Sequence, residues 1–359
     1  MPLSDSVPDL VLPAPDALKD SGALQDSGVL PGSGAAADSG PDALPDACAA
    51  PDAAGARIAV VVVTYNSAAV LRGCLASIAL GAAGTRLTRV VVVDNASRDD
   101  SVRIAKDASA DLPVQVIETG RNGGYSAAIN AGTAALDLDG LDAVFVMNPD
   151  CRFLEGALAA LAGALAADPG RGIAVPRLIT PDGTLQASLF RSPSVLRVWV
   201  DALLGGRLSG SLTRLSEKIT DPEAYARAHE AVWATGAAQL LSVETIRRVG
   251  PWDESFLLYS EETDYALRAA DAGLSTWYEP AAEVVHLGGE SDSSPMLYSL
   301  LTVNRVRLFR RRRGTLAAIP FFLGITLGEL LRTLAGRRTS RAALAALLLP
   351  SHRIRELKA

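Results

Sequence analysis

From Arg57 onward, apolar and polar positions switch repeatedly between two rhythms. Ile58–Val63 is a continuous apolar run rich in β-branched residues, the mark of a strand covered on both faces. Ala68–Leu80 then places its apolar residues at helical spacing. The same alternation predicts strands at Arg89–Val93, Val114–Ile117 and Ala143–Met147, separated by helices at Asp99–Ala110 and Tyr125–Leu136. Short connections between alternating strands and helices imply parallel βαβ units with helices on both faces of the sheet. Farther on, Leu154–Ala167 reads as an Ala/Leu helix and Ile173–Pro176 as a short strand. The stretch 191–231 reads as loop and helix without clear order. Ala237–Leu241 predicts a strand, Val243–Arg248 a helix capped by Ser242, and Ser260–Ala272 a helix capped by Ser260 and ended by Gly273. Leu274–Tyr278 and Glu283–His286 are expected as two closing strands.

In open parallel sheets, ligands bind beyond the carboxyl ends of the strands. Those ends read Thr64-Tyr65-Asn66, Asp94-Asn95-Ala96-Ser97, Gly120-Arg121-Asn122-Gly123-Gly124 and Asn148-Pro149-Asp150. All four are polar, so the chemistry is expected along that edge.

Charge divides the chain. The net charge of −6 conceals −8 over residues 1–56, −9 over 57–296 and +11 over 297–359. The first segment is Pro, Ala, Gly, Asp and Ser without aromatics, and it carries no basic start followed by an apolar stretch. It reads as a disordered acidic tail and not as a secretory signal. In the last segment, Arg305, Arg307 and the run Arg310–Arg313 precede an apolar stretch interrupted by Pro320, two glycines and Glu329. That stretch is too broken to predict a bilayer span. Basic-plus-apolar helices lying on an anionic membrane surface are expected instead, against the plainer alternative that they pack on the catalytic domain with solvated arginines. Nucleic-acid binding would leave the apolar stretches without a purpose. With three cysteines lacking close pairing (Cys48, Cys74, Cys151), neither a disulfide framework nor a cysteine zinc site is expected, and only three histidines exclude a multi-histidine metal cage.

Candidate chemistry concentrates in a few residues. Asp150, directly after a buried strand, suits Mg²⁺ or Mn²⁺ shared with a diphosphate, although an Asx-turn or a helix N-cap is the more ordinary reading of an isolated Asn-Pro-Asp. Glu261 and Glu262 fall in the first turn of their helix, where the dipole favours an ionised carboxylate and hence a general base; dipole matching alone also places acids there. Asp264 and Arg268 are spaced to pair across one turn. His286 follows an apolar run, where a structural role is the ordinary one. Gly120–Gly124 matches neither dinucleotide nor P-loop spacing, and Cys74 reads as core.

Taken in order, these segments resemble the inverting glycosyltransferases of family 2, which have the GT-A nucleotide-sugar-binding fold. The resemblance rests on "VVVVTYNSAAVLRGCLASI" from Val60, "VVVVDNAS" from Val90, "GRNGGYSAAINAG" from Gly120 and "NPD" at Asn148. It continues through "WATGAAQLL" from Trp233, "VGPWDESFLLYSEETDYALRAADAG" from Val249 and "VVHLGGES" from Val284. Within the family, the chain is most similar to actinobacterial rhamnosyltransferases acting on polyprenyl-linked sugars. The implied architecture is an α/β GT-A (Rossmann-like) domain over 57–296 with a mostly parallel central sheet, followed by basic, apolar helices over 297–359.

The resemblance also implies roles. Thr64, Tyr65 and Asn66 would line the nucleotide site, and Asp94 would accept a hydrogen bond from a pyrimidine N–H. Asn122 and Gly124 would approach the nucleotide-sugar. Asn148 and Asp150 would stand at the first and last positions of the metal motif, with His286 aiding metal or diphosphate binding. Glu262 would be the base where many relatives carry Asp, with Glu261 the alternative; Trp233, Thr235 and Gly236 would shape the acceptor side. The expected partners are a nucleotide-sugar donor (dTDP-rhamnose ahead of a UDP-sugar), a glycan or polyprenyl-linked acceptor, a divalent cation (Mg or Mn) and the cytoplasmic face of the membrane. Two other functions fit the alternating pattern: a nucleotidyltransferase, which would need a Gly-rich, Lys-containing loop that Thr64–Val70 lacks, and a non-catalytic nucleotide-sugar-binding protein.

Overall fold

The computed structural model describes residues 55–205, 215–288 and 294–353; the expectation for the acidic tail lies outside them. One large sheet organises residues 57–286. Its first four strands are β1 (Arg57–Thr64), β2 (Arg86–Asp94), β3 (Val114–Glu118) and β4 (Ala143–Met147). Next come β5 (Cys151–Phe153), β6 (Arg171–Ile179), β10 (Ala238–Ser242) and β11 (Ser275–His286). The spatial order is β3-β2-β1-β4-β10-β6-β11-β5, and a short β8 (His229–Ala231) pairs with β11. Strands β1 to β4 are parallel as the alternation predicts. The sheet is mostly parallel, with β10 antiparallel to both β4 and β6.

The strand run at 58–63 is apolar throughout because each face has its own core. Ile58, Val60 and Val62 pack with Leu71, Cys74 and Ile78 of α1 (Ala68–Gly81) and with Leu158 and Leu161 of α4 (Ala157–Ala166). Ala59, Val61 and Val63 pack on the other face with Ile129 of α3 (Tyr125–Ala134) and Tyr265. A period of two thus sorts one sequence run into two cores.

Several boundaries differ from expectation. The second helix, α2, covers Ser101–Asp107 and tightens into one 3₁₀ turn at Ala108–Ala110. Helix α4 starts only at Ala157, behind a left-handed Gly156, because Cys151–Phe153 is taken up by β5. The two closing strands are one strand, β11, whose register against β6 shifts between Glu279 and Glu283. The unordered middle contains α5 (Val195–Leu204) and a two-stranded sheet of β7 (Leu189–Phe190) and β9 (Trp233–Ala234). The remaining helices are α6 (Val243–Val249), α7 (Glu261–Asp271), α8 (Pro295–Arg313), α9 (Thr315–Leu334) and α10 (Arg338–Leu348). Ser242 caps α6 through its hydroxyl, as expected.

The C-terminal helices form a third core with α5. Val198, Phe309, Phe321, Ile325 and Leu347 meet there, with Phe309 and Phe321 stacked at 4.0 Å. Helix α9 stays helical through Pro320 and is long and apolar enough to cross a membrane by length and composition. The sequence-level interruptions therefore do not break it: Glu329 is buried, accepting hydrogen bonds from Tyr298 and Arg332.

Candidate active site

The ends of β1 and β2 are tied to each other. Asn66 adopts φ +51°; its N–H donates to Ser97 Oγ and its Oδ1 accepts from the Arg98 amide, both at 2.8 Å. Asp94 Oδ2 accepts from the Ser97 amide at 2.8 Å. The other carboxylate oxygen, Oδ1, is buried without a partner among the described residues, as is Thr64 Oγ1. A buried acceptor left open in this way is costly in isolation and suits a ligand donor. Tyr65 stands exposed beside them.

Asn122 accepts from the Gly124 amide, closing an Asx turn. Gly124 has a local reason to be glycine. Its φ is +89°, and a Cβ there would lie 2.0 Å from the Leu257 carbonyl oxygen. That oxygen also accepts from the Tyr125 amide at 2.8 Å. The turn thus docks the start of α3 onto the loop that leads into α7.

Asp150 and His286 meet through strand pairing. Strands β5 and β11 are antiparallel with Cys151 opposite His286, so the residue before β5 reaches the end of β11. His286 Nε2 lies 3.4 Å from Asp150 Oδ2, and Nδ1 lies 2.8 Å from Gln186 Oε1. With Nδ1–H donated to Gln186, a neutral ring turns a lone pair toward a carboxylate. Two acceptors face each other unless a proton or a cation lies between them. Asp150 Oδ1 is also buried without a partner among the described residues. Burial works to raise the Asp150 carboxyl, but a protonated His286, through its hydrogen bond and charge, and backbone amides hold it below its ordinary value; a cation in place of that proton would act in the same direction. An ionised carboxylate, an imidazole lone pair and an unfilled oxygen suit a divalent cation. Cys151 lies within reach of both, but its thiol donates to the Ala237 carbonyl and burial keeps it protonated, so it does not suit as a ligand. Asn148 sits at the end of β4, its amide donating to the same Ala237 carbonyl.

Glu261 and Glu262 open α7 after a contorted loop. Leu257, Tyr259 and Ser260 all have left-handed φ values, +64°, +67° and +75°, a strained conformation for side chains with a Cβ. Asn304 of α8 holds that loop. Fully buried, it donates through Nδ2 to the carbonyls of Phe256, Leu258 and Tyr259 at 2.8, 2.9 and 3.2 Å. Ser260 occupies the cap position without a capping hydrogen bond from its side chain. Its left-handed backbone turns the hydroxyl away from that task, correcting the expected cap.

The electrostatic expectation at this helix start also changes. Burial pushes Glu262 up to about 7 and raises Glu261 well above its ordinary value, with Glu262 adding to the latter. Desolvation therefore outweighs the helix dipole. Asp264 and Arg268 pair at 2.7 Å as their spacing predicts. Of the two glutamates, Glu262 lines a cavity of about 730 Å³ that also takes in His286, Gln186, Trp233 and Thr235.

Trp233 does not offer a free indole face on both sides. It stacks on Phe190 at 4.1 Å and donates from Nε1 to the Arg191 carbonyl, because β7 and β9 pair directly and bring the two rings together. Gly236 accepts a hydrogen bond from Tyr125 Oη at 2.8 Å. A Cβ at Gly236 would lie 3.2 Å from Glu262 Cβ, so the glycine lets the chain pass close to α7.

The comparisons with known proteins agree with this layout. The sequence profile of Glycosyl transferase family 2 matches residues 59–215. An N-acetylglucosaminyl-diphospho-decaprenol L-rhamnosyltransferase, found in two Mycobacterium tuberculosis strains, is 31% identical over 238 residues, covering 63% of this chain and 75% of the relative. The chain belongs to glycosyltransferase family 2. This family-2 glycosyltransferase also shares its fold with a crystal structure of GalNAc-T7 with UDP, GalNAc and Mn²⁺, at a TM-score of 0.50 and 16% identity. The match covers 71% of this chain and spans about half of that one, 48%. The architecture is the GT-A fold, extended here by three C-terminal helices.

The structure brings Asp150 together with His286, and Glu262 into the same cavity as His286. Thr64, Asn66 and Asp94 gather at the adjoining ends of β1 and β2. Sequence reasoning passed over Gln186 and Asn304. Gln186 lies in a loop without periodicity, and Asn304 sits inside an arginine-rich helix, where only its polarity amid apolar neighbours marks it.

Proposed function

We propose that this glycosyltransferase moves rhamnose from dTDP-rhamnose to a polyprenyl-linked acceptor, inverting the anomeric centre, at the cytoplasmic face of the membrane. A UDP-sugar is the second choice of donor. The observation that carries the reading is that one cavity holds both His286, partnered with Asp150, and Glu262. The similarity to the mycobacterial rhamnosyltransferase supports the choice of sugar and acceptor.

In this reading, Thr64 and Asp94 offer their open oxygens to the nucleotide, with Tyr65, Asn66, Asn122, Gly124 and Asn148 around it. Asp150 and His286 would hold a Mg²⁺ or Mn²⁺, whose chemistry there is to neutralise the departing diphosphate. Glu262, near neutrality in its proton affinity, takes the proton of the acceptor hydroxyl as that oxygen attacks the anomeric carbon from the opposite face. Glu261, buried beneath, keeps its own proton and spares Glu262 a second negative neighbour. Thr235 and Gly236 border the acceptor, with the edge of Trp233. Residues 57–296 are the catalytic domain and 297–359 a helical region that attaches to the membrane surface.

Thermal unfolding of the purified chain with dTDP, UDP or GDP, each with Mn²⁺, Mg²⁺ or EDTA, tests the donor side. A ligand at 100 times its Kd adds roughly 2.7 kcal/mol. Metal-dependent stabilisation by dTDP alone is the expected result. A preference for UDP would keep the enzyme and change the sugar, and no response to any of the three would favour a protein without catalytic function.

A further inference from the structure

Asp150 stands at an edge of the sheet. Strand β5 follows it directly, is three residues long and ends the spatial order, so β11 is its one strand neighbour among the described residues. So short a ladder, on one side only, does little to fix a turn that must present a carboxylate at a defined angle. The other side of β5 lies against α1. There the Phe153 amide donates to Ser77 Oγ at 3.1 Å, and the Cys74 thiol donates weakly to the Asn148 carbonyl at 3.8 Å.

Arg152 completes this side. Its guanidinium donates through Nη1 to the carbonyls of Pro149 and Cys151, at 3.2 and 2.9 Å, and through Nη2 to the Val70 carbonyl in α1. All three acceptors belong to the main chain, and two of them flank Asp150. The fork of donors thus clamps the turn from both sides and ties it to the helix, which a single ammonium would not do. Gly73 makes room for it. A Cβ there would lie 2.5 Å from Arg152 Nε and 2.9 Å from Cζ. Glycine inside a helix is otherwise unfavourable, so the guanidinium laid across it gives its place in α1 a reason. The same helix starts at Ala68, just after Thr64-Tyr65-Asn66, so Arg152 also links the Asp150 turn to the end of β1.

We infer that Arg152, seated on Gly73, is a positioning residue that sets the angle of Asp150 toward the divalent cation. This rests on the glycosyltransferase reading above and adds to its cation site two residues that act only through Asp150. Charge and geometry make opposite demands here. The positive charge of Arg152 repels a cation at Asp150, so removing that charge alone would tighten Mn²⁺. Losing the clamp weakens Mn²⁺ instead, as loss of the partners that orient metal ligands does, by about tenfold or more.

The test uses the full chain with saturating dTDP or UDP, whichever stabilises the parent more. Thermal unfolding gives the Mn²⁺ concentration at which half of the metal-dependent stabilisation is reached, and the same nucleotide in EDTA reports the nucleotide site alone. R152A should need about tenfold more Mn²⁺ and keep its response in EDTA. G73A retains the charge and favours the helix, yet its methyl displaces the guanidinium, so it should need about tenfold more Mn²⁺ as well. In R152A/G73A the methyl enters space already emptied, and the loss should be no greater than in R152A. Should R152A fail to fold, G73A alone decides. An R152A that needs no more Mn²⁺ than the parent overturns the inference, as does a G73A that matches the parent, or losses that multiply in the double variant. A parent whose nucleotide stabilisation ignores Mn²⁺ sinks the cation site of the proposed function and this inference with it. A parent that responds, with single variants that respond equally, sinks the inference alone.

Discussion

Glu262 shows how one side chain can be positioned by sequence and tuned by packing. Its place in the first turn of α7 follows from the chain, but its proton affinity near 7 comes from burial. Two consequences follow with opposite signs. In the proposed role of base it must be ionised, so kcat/KM should fall as the pH drops below about 7. For stability, the folded chain holds this proton more tightly than the unfolded chain does. The contribution is complete below the ordinary value of 4.5 and is lost as the pH rises to about 7. Glu262→Gln should therefore lower transfer by about 10²–10⁴, keep nucleotide binding, and be more stable than the parent at pH 8 but not at pH 5, as urea unfolding at both values would reveal. Asp150→Asn makes a separate demand: nucleotide stabilisation should persist in EDTA but no longer increase with Mn²⁺. A metal response that survives in this variant would move the cation elsewhere.

At the scale of elements, the loop 256–260 links distant parts. Gly124, just ahead of α3, leaves room for it to pass close by, and Asn304 grips three of its carbonyls from α8. Asn304→Ala removes the donor from carbonyls that then lack it, at a cost of about 2–3 kcal/mol. Because those carbonyls belong to the strained turn before Glu262, the same variant should lower kcat more than it raises the donor KM. A stability loss with unchanged kcat would mean that the loop holds its shape without Asn304. The β1–β4 alternation is legible in the sequence, since a doubly buried parallel strand must be apolar on both faces. The antiparallel β10 and the β5–β11 pair are not legible. They depend on partners tens of residues apart, and a three-residue strand such as Cys151–Phe153 carries no period to read.

For the whole molecule, the opposed charges of 57–296 and 297–359 answer one another in part. Arg305 pairs with Glu217, Arg311 with Asp253 and Arg312 with Asp271, while Arg307 donates to the Ser255 carbonyl. Much of the arginine run thus faces the catalytic part. The proposed boundary at 296 falls just inside α8, which begins at Pro295. Membrane attachment, as proposed, relies on the exposed apolar side of α9 instead. L316Q/I319Q/L323Q should release the full chain from anionic vesicles in a flotation assay while leaving thermal stability nearly unchanged, because these side chains are at least half exposed. Retention of the triple variant on vesicles would assign attachment to other residues.

By itself the sequence determined the alternating frame and the edge where polar strand ends gather, and it singled out Asp150 at that edge and Glu262 at a helix start as candidates. These follow from local periodicity and from the order of short motifs, which need no knowledge of distant contacts. Only the tertiary structure decided which groups meet and in what state. Strand register joins Asp150 to His286, and desolvation, which no window of sequence contains, outweighs the helix dipole at Glu262. The destination of the arginines was decided in the same way, because charges in a sequence declare their sign but not their partners, and partners are chosen by the packing of elements far apart in the chain.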